Sequence, residues 1–582
     1  MLSVIFVAGV IIVATAAAFS HWRVRDFLMS KAISVPLAEN AITIDRGLRM
    51  TTPDGVTLVA DLYRPRSEGM FPTIVTRTVY GRGNVIPAAF AAFLARRGYI
   101  VLAQDGRGTG ESDGTFVPMS NEKNDGAATL AWIEEQPWFN GHMATFGLSY
   151  LGFTAAAMAA QNRPSVKAVF SAIAPRGFRT MIYGTGGFDF ATALHWAVAV
   201  DTMLKGEIEG WKSTGLAGLF LGLLRKISNP VRFDVLPIAT ADTVATGAPI
   251  DIYQTFVTSA YESAPYWTES SLTEAEIAGI EAPVFLSTAW HDVAMPDVIA
   301  DYLALDKAGR SPRLTIGSGP HGDFAAMIRV LRDSKAWFDF VFDDTATMAD
   351  KRVRFNVLGT HEWIEAESWP VPARTVRYYL TDDGRLGPTH PPAGKCWTSY
   401  VYDPMDPTPA VGGPVLMERK PVTDNAALEA RDDTIVFSAP PFETDCMVAG
   451  EITASIYFEA DTATADLFVR VNRVSGSGTS KNVTDAVRRI VFETPTGGVA
   501  KVDLQLLPTA VRFRKGERLR VLIASGAHPR IARNLGSGST QEQAYMTEGR
   551  AANLRIHHCA EMPSCVELPV MEASGASSSR KA

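Results

Sequence analysis

The hexamer Gly-Leu-Ser-Tyr-Leu-Gly, residues 147–152, places a serine between a short apolar run and an alanine-rich segment. A serine on a tight strand-to-helix turn can present its hydroxyl as a nucleophile, usually within a G-x-S-x-G pattern. Gly147 and Ser149 fit this pattern, whereas Leu151 occupies the second glycine position and Gly152 follows one residue later. The hexamer alone is weak evidence, but the predicted strand before it and the predicted helix after it favour Ser149 as a nucleophile.

Histidines and acidic residues follow two later strands of the predicted sheet. In one large group of serine hydrolases an acid and then a histidine follow the nucleophile along the chain, and open sheets bind ligands where their parallel strands end. We expect His321 to be the base and Asp292 the acid, because His291 points away when its neighbour Asp292 points into the site. Asp297, at a predicted helix start, and Asp323, two residues from the histidine, rank lower.

The oxyanion of an acyl-transfer intermediate needs two hydrogen-bond donors. The backbone N–H of Tyr150, directly after the predicted nucleophile, is one donor by position. The second should come from the loop after the early strand FPTIVTRTVY, where Tyr80 stands and a glycine-rich HGGG sequence is absent. The Tyr80 phenol is therefore the candidate second donor; the simpler interpretation is an aromatic residue that ends a strand.

Predicted strands alternate with predicted helices over residues 37–174 and again over residues 282–345. This order predicts an α/β domain whose mostly parallel sheet is covered on both faces. Between them, residues 175–281 are rich in glycine, aromatic residues and amphipathic pieces, which predicts an inserted helical cap. Short strands and turns over residues 346–572 predict an all-β sandwich or jelly roll, and the small polar residues 573–582 predict a disordered tail.

The first 36 residues are predicted to precede the α/β domain, and residues 2–19 carry no charge. As an apolar helix, this segment would just cross the hydrocarbon core of a bilayer, which takes about 20 residues. We expect a membrane anchor; the alternatives are a cleaved secretory signal, since residues 16–18 are similar to an A-x-A cleavage site, and a buried helix. The expected localisation is therefore membrane-anchored or exported, on the periplasmic or extracellular side.

The composition excludes several other classes of protein. A chain of 582 residues is too long for one core, and a net charge of −7 without a basic stripe excludes a nucleic-acid partner. The glycine-rich GRGTGESDG lacks the Lys-Ser/Thr end of a phosphate loop, and neither a dinucleotide fingerprint nor a metal-ligand cluster is evident. We therefore predict neither a cofactor nor a metal.

Four cysteines, at positions 396, 446, 559 and 565, lie in the C-terminal third without C-x-x-C spacing, so a zinc site is not expected. Cys559 and Cys565 flank the residues AEMPS in a predicted hairpin. A cross-strand disulfide is one hypothesis for this pair, and it would require an oxidising compartment. Two reduced, half-buried thiols are the alternative.

With these motifs the chain resembles a known family, the cocaine esterase, α-amino-acid ester hydrolase and X-Pro dipeptidyl-peptidase group of serine hydrolases. The resemblance runs in order from about residue 42 to about residue 570. Its motifs are RTVYGRG, QDGRGTGESDG, WIEEQPWFNGHMATFGLSYLG, APYWTESSL, AWHDVAMPD, GPHGDF and WIEAESWP. The family carries the second glycine one place later than the usual pattern, which accounts for Leu151 and Gly152.

The resemblance implies an α/β-hydrolase domain, a helical cap inserted in it, and a C-terminal jelly roll of the galactose-binding-like type. It carries Ser149, Asp292 and His321 over as the triad, with Tyr80 and the N–H of Tyr150 as the oxyanion hole. The N-terminal apolar segment and the cap sequence depart from the better-known members. Because cap residues shape the substrate pockets, the substrate is not transferred from any single relative.

We therefore expect a serine hydrolase that cleaves a small ester or amide through an acyl-enzyme, with a carboxylic ester as the first choice. An X-Pro dipeptidyl-peptidase or an α-amino-acid ester hydrolase is the alternative. Such a peptidase needs carboxylates to hold a free amine, and Asp189, Asp201 and Glu262 lie in or near the cap. A membrane-tethered jelly-roll binding protein with an inactive hydrolase domain is the alternative of another class. The oligomeric state is left open.

Overall fold

The chain is described by a computed structural model. Its described residues are 34–205, 231–260, 264–394, 396–416, 420–494, 497–538, 543–572 and 577–579, together with residues 23, 26, 27, 30 and 31. The predicted membrane anchor or signal over residues 2–19 lies outside them. In the described part of the chain, no helix has the length and apolar character that a bilayer crossing demands.

An eleven-stranded sheet forms the core of the first half of the described chain. Its first ten strands are β1 (Ile42–Thr51), β2 (Thr57–Pro65), β3 (Thr73–Thr78), β4 (Ile100–Asp105), β5 (Met143–Leu148), β6 (Val166–Ala172), β7 (Val284–His291), β8 (Arg313–Pro320), β9 (Val353–Asn356) and β10 (Trp363–Ala366). Strands β4, β3, β5, β6, β7, β8 and β9 are neighbours in this order, and every pair among them is parallel. The predicted parallel sheet is confirmed.

Twelve α-helices accompany the strands within the described residues. They are α1 (Val85–Ala95), α2 (Glu122–Glu134), α3 (Tyr150–Ala159), α4 (Phe178–Tyr183), α5 (Phe190–Leu204), α6 (Ala241–Thr246), α7 (Asp251–Thr258), α8 (Pro265–Glu269), α9 (Glu274–Ala278), α10 (Met295–Lys307), α11 (Phe324–Phe342) and α12 (Ala426–Glu429). Short 3₁₀ turns span Ile238–Thr240 and Met546–Glu548. Helices α4 to α9 all lie between β6 and β7, in the region that the sequence predicts as a cap.

Both faces of the sheet are buried under helices, because neighbouring residues of one strand point to opposite faces. On β5, Phe146 packs into the cluster that contains Phe90 of α1 and Phe338 of α11. Met143 of the same strand joins a second cluster, with Leu130 of α2 and Met158 of α3. A strand with both faces covered is apolar along its whole length, which explains why apolar and polar residues do not alternate in these strands.

The second half of the chain is rich in antiparallel strands. They are β11 (Ala373–Leu380), β12 (Leu386–Gly387), β13 (Trp397–Tyr402), β14 (Thr434–Ser438), β15 (Cys446–Gly450), β16 (Thr453–Ala460), β17 (Thr464–Val474), β18 (Ser480–Val491), β19 (Gly498–Gln505), β20 (Thr509–Phe513), β21 (Arg518–Ala524), β22 (Ala552–Cys559), β23 (Met562–Pro563) and β24 (Cys565–Met571). One sheet has the order β14-β21-β17-β18, and the remaining strands form a larger sheet. The β-rich domain is confirmed, while the jelly-roll topology stays a prediction.

The predicted boundary between the two halves does not coincide with the sheets. β9 and β10 lie beyond residue 345, yet β9 pairs with β8 and β10 pairs with β9 in the first sheet. The predicted disorder of the tail 573–582 is wrong at one place, since β25 (Ser577–Ser579) pairs antiparallel with β10. The physical reason is the exposed edge of β10, whose free backbone groups accept a further strand.

Of the two hypotheses for Cys559 and Cys565, the cross-strand disulfide is not formed, and all four cysteines are free thiols. β22 and β24 do not pair with each other as a hairpin would. They follow one another along the same edge of β16, since residues 457–460 pair with β22 and residues 453–455 pair with β24. The residues between them leave the sheet as the small turn that contains β23. Cys559 and Cys565 therefore do not stand opposite each other.

The aromatic cluster beneath the parallel sheet yields a stability prediction. Phe170 is fully buried and its ring centroid lies 5.1 Å from Phe285 and 5.8 Å from Phe146. Phe170→Ala leaves a cavity, and we expect it to lower the free energy of unfolding by about 3–5 kcal/mol. The matched control is Phe324→Ala, because Phe324 is 73% exposed. Urea unfolding of both variants measures the difference; equal midpoints would contradict the assignment of this core.

Candidate active site

Ser149 lies on a sharp turn between β5 and α3. Its backbone has φ 56° and ψ −127°, a left-handed conformation that costs a non-glycine residue about 1–3 kcal/mol. The Ser149 N–H donates to the Ala172 carbonyl at 2.8 Å, and Gly152 is held through its carbonyl by the Ser171 hydroxyl at 3.1 Å. Contacts to the end of β6 thus fix the turn and offset its strain.

Two glycines of the hexamer are required by close packing. A Cβ on Gly147 would lie 1.9 Å from the Leu151 carbonyl oxygen, and a Cβ on Gly152 would lie 2.6 Å from the Ala174 side chain. Both distances are shorter than any real contact, so the first turn of α3 can approach β5 and β6 only with glycine at these positions. This explains the spacing Gly-x-Ser-x-x-Gly, in which Leu151 is free to carry a side chain.

His321 joins Ser149 to Asp292 through two hydrogen bonds. The Nε2 atom of His321 lies 2.9 Å from the Ser149 Oγ, and Nδ1 lies 2.9 and 3.0 Å from the two Asp292 oxygens. A carboxylate only accepts hydrogen bonds, so Nδ1 carries the proton and Nε2 can accept from the serine hydroxyl. The backbone N–H of Ala294 donates to Asp292 at 2.7 Å and orients the carboxylate. The structure therefore brings together the three residues that the sequence singled out.

The electrostatic surroundings of the two candidate histidines differ. Burial by itself lowers the pKa of His321, but the Asp292 charge and its hydrogen bond outweigh burial and raise that pKa above the ordinary value. His291 is more deeply buried than His321, and burial lowers its pKa to about 4. It faces the charges of Asp485 and Arg470 in the β-rich domain instead of Ser149, as expected from its position next to Asp292.

Tyr80 stands over Ser149 from the loop after β3. Burial raises the pKa of the Tyr80 hydroxyl, against opposing hydrogen bonds with Trp196 and Ser149, so this hydroxyl keeps its proton near neutral pH. The Trp196 indole Nε1 lies 3.4 Å from the Tyr80 oxygen. Trp196 belongs to α5 of the cap, and sequence reasoning missed it because nothing in the spacing of the motifs relates α5 to Tyr80.

Tyr150 is the first residue of α3, where backbone N–H groups have no partner within the helix. Its own side chain points into the core: the hydroxyl accepts from the Met119 N–H at 2.7 Å and donates to Glu122 at 3.0 Å. Glu122 also pairs with the fully buried Arg77 at 2.7 Å. This network, which sequence reasoning did not identify, anchors the first turn of α3 through the Tyr150 side chain.

Two cavities meet at Ser149, and Tyr80 and Trp196 line both of them. The larger, here called the α1–α5 cavity, measures about 340 Å³ and lies between α1 and α5. The smaller, here called the His321 cavity, measures about 10 Å³. Its lining includes His321, Phe178 of the cap and Leu416 of the β-rich domain, so both later regions contribute to the site.

The remaining acidic candidates have other partners. Asp323 caps α11 by accepting the Ala326 N–H at 2.6 Å, and Asp297 accepts from the backbone of Arg176 at 2.9 Å. Asp189 caps α5 through the Thr192 N–H, and Asp201 pairs with Lys205 at 2.8 Å. Glu262 lies outside the described residues. Over the described residues, no group of three or more His, Cys, Asp or Glu side chains could hold a metal ion.

Comparison with known proteins assigns the chain to a class. The family model described as X-Pro dipeptidyl-peptidase (S15 family) matches residues 54–323, and the model described as its C-terminal non-catalytic domain matches residues 345–567. The cocaine esterase of Rhodococcus sp. (strain MB1 Bresler) is 27% identical over 563 residues, covering 89% of this chain and 97% of the relative. These matches define a serine hydrolase.

Solved structures with low sequence identity share the fold. An aminopeptidase from a marine sediment Thaumarchaeota archaeon has a TM-score of 0.77 at 20% identity and covers 92% of this chain and 98% of its own. An α-amino-acid ester hydrolase has a TM-score of 0.76 at 21% identity, with the same coverage. The chain belongs to the cocaine esterase and X-Pro dipeptidyl-peptidase family, as the motifs predicted, with an α/β-hydrolase-like domain followed by a β-rich domain.

The opposite pKa shifts of the two histidines can be measured. We expect NMR titration to find His321 with a pKa above about 6.5 and His291 with a pKa near 4. Asp292→Asn removes the charge that favours the imidazolium, so the pKa of His321 should fall. Asp323→Asn is the matched control, since it keeps the helix cap and should leave this pKa unchanged. A His321 pKa that is insensitive to Asp292→Asn would contradict the described electrostatics.

Proposed function

We propose that the protein is a carboxylic-ester hydrolase in which Ser149 is the nucleophile, His321 the general base and Asp292 the residue that orients it. The observation that carries the proposal is the unbroken hydrogen-bond chain from the Ser149 Oγ through His321 to Asp292. A hydroxyl hydrogen-bonded to a base that is itself held by a third group is the arrangement of an activated serine.

In the first half-reaction the Ser149 Oγ attacks the ester carbonyl while its proton passes to Nε2 of His321. The resulting oxyanion accepts hydrogen bonds from the Tyr80 hydroxyl and the Tyr150 N–H, and the N-terminus of α3 adds a favourable dipole. The bond to the leaving oxygen then breaks as His321 returns the proton to that oxygen. The products of this half-reaction are an alcohol and an acyl-Ser149 ester.

In the second half-reaction a water molecule replaces the alcohol. His321 takes a proton from this water, the hydroxide attacks the acyl carbon, and the Ser149 Oγ leaves with the proton from His321. Because the base must be neutral, its raised pKa places the acidic limb of kcat/KM above pH ~6.5, with activity lost as pH falls through that pKa.

The lining of the two cavities favours an ester over a peptide with a free amine. A dipeptidyl-peptidase must hold the ammonium group of its substrate, which needs a carboxylate. Among the described residues, neither cavity is lined by Asp or Glu. Of the acidic residues that the sequence singled out in the cap, Asp189 caps a helix and Asp201 pairs with Lys205. A neutral substrate therefore fits better.

A role as a binding protein with an inactive hydrolase domain is the competing proposal. In that case the C-terminal domain, as a jelly roll, would bind a surface ligand and the hydrolase domain would have lost its nucleophile. The short distances at Ser149 oppose this proposal. Absence of covalent labelling of folded protein by a fluorophosphonate would favour it.

Ser149→Ala tests the nucleophile. We expect it to abolish fluorophosphonate labelling and to lower the hydrolysis of p-nitrophenyl acetate by at least about 10³-fold, because no hydroxyl remains to be acylated. Ser165→Ala, which removes a serine hydroxyl that binds Glu134 instead, is the control. Labelling that persists in Ser149→Ala would refute the proposal.

A substrate panel separates ester from peptide hydrolysis. We expect p-nitrophenyl acetate to be cleaved with a higher kcat/KM than an amino-acid ester or an X-Pro anilide, because no described Asp or Glu lines either cavity to bind their ammonium groups. A higher kcat/KM for the anilide would make the protein a dipeptidyl-peptidase instead.

Tyr80→Phe tests the oxyanion hole. We expect kcat to fall by about 10²–10³-fold with little change in KM, because the lost hydrogen bond matters most in the transition state. Tyr400→Phe is the matched control, since Tyr400 is buried and hydrogen-bonded to Ser525 at 2.7 Å in the β-rich domain. A change in KM alone would show that Tyr80 binds substrate without stabilising the oxyanion.

A further inference from the structure

The α1–α5 cavity is deep and almost wholly apolar. Its inner wall is formed by buried residues of α1 and the sheet, among them Ala91, Leu94, Val101 and Phe146. Its polar lining consists of Thr76, Asn84 and the two residues Tyr80 and Ser149 at the reacting end, and none of its lining residues is charged. Moving an aliphatic chain from water into such a space strengthens binding by up to about fourfold per methylene group.

The mouth of this cavity is apolar as well. Val85 and Ile86 of α1 are 47% and 45% exposed although they line the cavity, and Ala199 and Met203 of α5 stand on the cap side. Large apolar side chains exposed around an opening mark a binding site for an apolar ligand. An apolar passage therefore runs from the surface to the Ser149 hydroxyl.

The position of His321 tells which part of an ester enters this passage. His321 must reach the leaving oxygen to protonate it, so the alcohol leaves on the side of that imidazole. His321 lines the small cavity of about 10 Å³ and is not among the residues that line the α1–α5 cavity. The large cavity thus lies on the acyl side of the reacting carbon.

We propose that the α1–α5 cavity binds an aliphatic acyl chain of roughly ten carbon atoms, and that the substrates are esters of such an acid with a small alcohol. This inference rests on the proposed function and names its substrate class. The chain length follows from the volume, because a methylene group is similar in size to a water molecule, whose share of the liquid is ~30 Å³. The His321 cavity, at about 10 Å³ on the same measure, leaves no room for a long alcohol beside His321.

Isomeric esters test the direction of binding without a change in overall hydrophobicity. Methyl octanoate and heptyl acetate have the same atoms, with the long chain on the acyl side in one and on the alcohol side in the other. With acid release followed at constant pH, we expect kcat/KM to be more than tenfold higher for methyl octanoate. Equal values, or a preference for heptyl acetate, would overturn the proposal.

A series of methyl esters tests the depth of the cavity. From butanoate to tetradecanoate we expect kcat/KM to rise up to about fourfold per added methylene, the equivalent of about 0.8 kcal/mol, as far as about ten acyl carbons, and to level off beyond that length. A flat series would overturn the proposal. In both experiments Ser149→Ala separates failure of the proposed function from failure of the acyl-chain site. Hydrolysis of p-nitrophenyl acetate that survives in Ser149→Ala refutes the proposed function. Hydrolysis that depends on Ser149 but shows no preference for chain length or direction refutes only the acyl-chain site.

Matched variants of α1 locate the effect. Ala91→Leu fills the cavity wall and should shift the preferred acyl chain to about three carbons fewer, with more than a tenfold loss of the decanoate-to-butanoate ratio. Ala89→Leu adds the same group on the exposed side of the same helix and should keep the wild-type ratio. Ala199→Leu, at the exposed mouth, provides a second variant that does not disturb the core. An unchanged ratio in a folded Ala91→Leu or Ala199→Leu protein would refute the location.

Discussion

The site depends on one close approach of backbone to backbone, between the end of β5 and the first turn of α3. Gly147 leaves no room for a Cβ against the Leu151 carbonyl, and Gly152 leaves none against Ala174. Only this proximity lets Ser149 leave the sheet in a left-handed conformation with its hydroxyl exposed to His321. The same turn starts a helix directly behind the serine, and the first N–H of this helix is the donor that the proposed oxyanion hole uses.

The rest of the fold supports that turn from three directions. From below, Arg77 and Glu122 form a buried ion pair, and Glu122 accepts a hydrogen bond from the Tyr150 hydroxyl. Removing either member of such a pair leaves the other charge buried and unpaired, which destabilises the fold. From the parallel sheet, β7 and β8 end next to each other and deliver Asp292 and His321. From above, the cap brings Trp196 to Tyr80. Each support comes from a different part of the chain, so damage to the site can arise far from it in sequence.

Much of this arrangement follows from local patterns. Strand ends carrying Ser149, Asp292 and His321 could be recognised because parallel strands end at one edge of the sheet, which brings distant residues together. The sheet boundary and the cysteine pair could not be predicted in the same way. β9 and β10 are short strands like those of the β-rich domain, but β9 pairs with β8 and β10 pairs with β9 in the first sheet. β22 and β24 follow each other along β16 instead of forming a hairpin. Tertiary packing determines which strands pair, and the alternation of apolar and polar residues in the sequence does not specify the partner.

The sequence by itself therefore determined the candidate reacting groups, their order and the α/β framework, since residue type, glycine spacing and strand periodicity are local properties. The tertiary structure alone decided the shape of the space around Ser149. Its walls come from α1, α5 and the sheet, and Leu416 reaches it from the β-rich domain. A cavity is the volume that packing leaves unfilled, so it depends on how distant elements meet and is absent from any stretch of sequence.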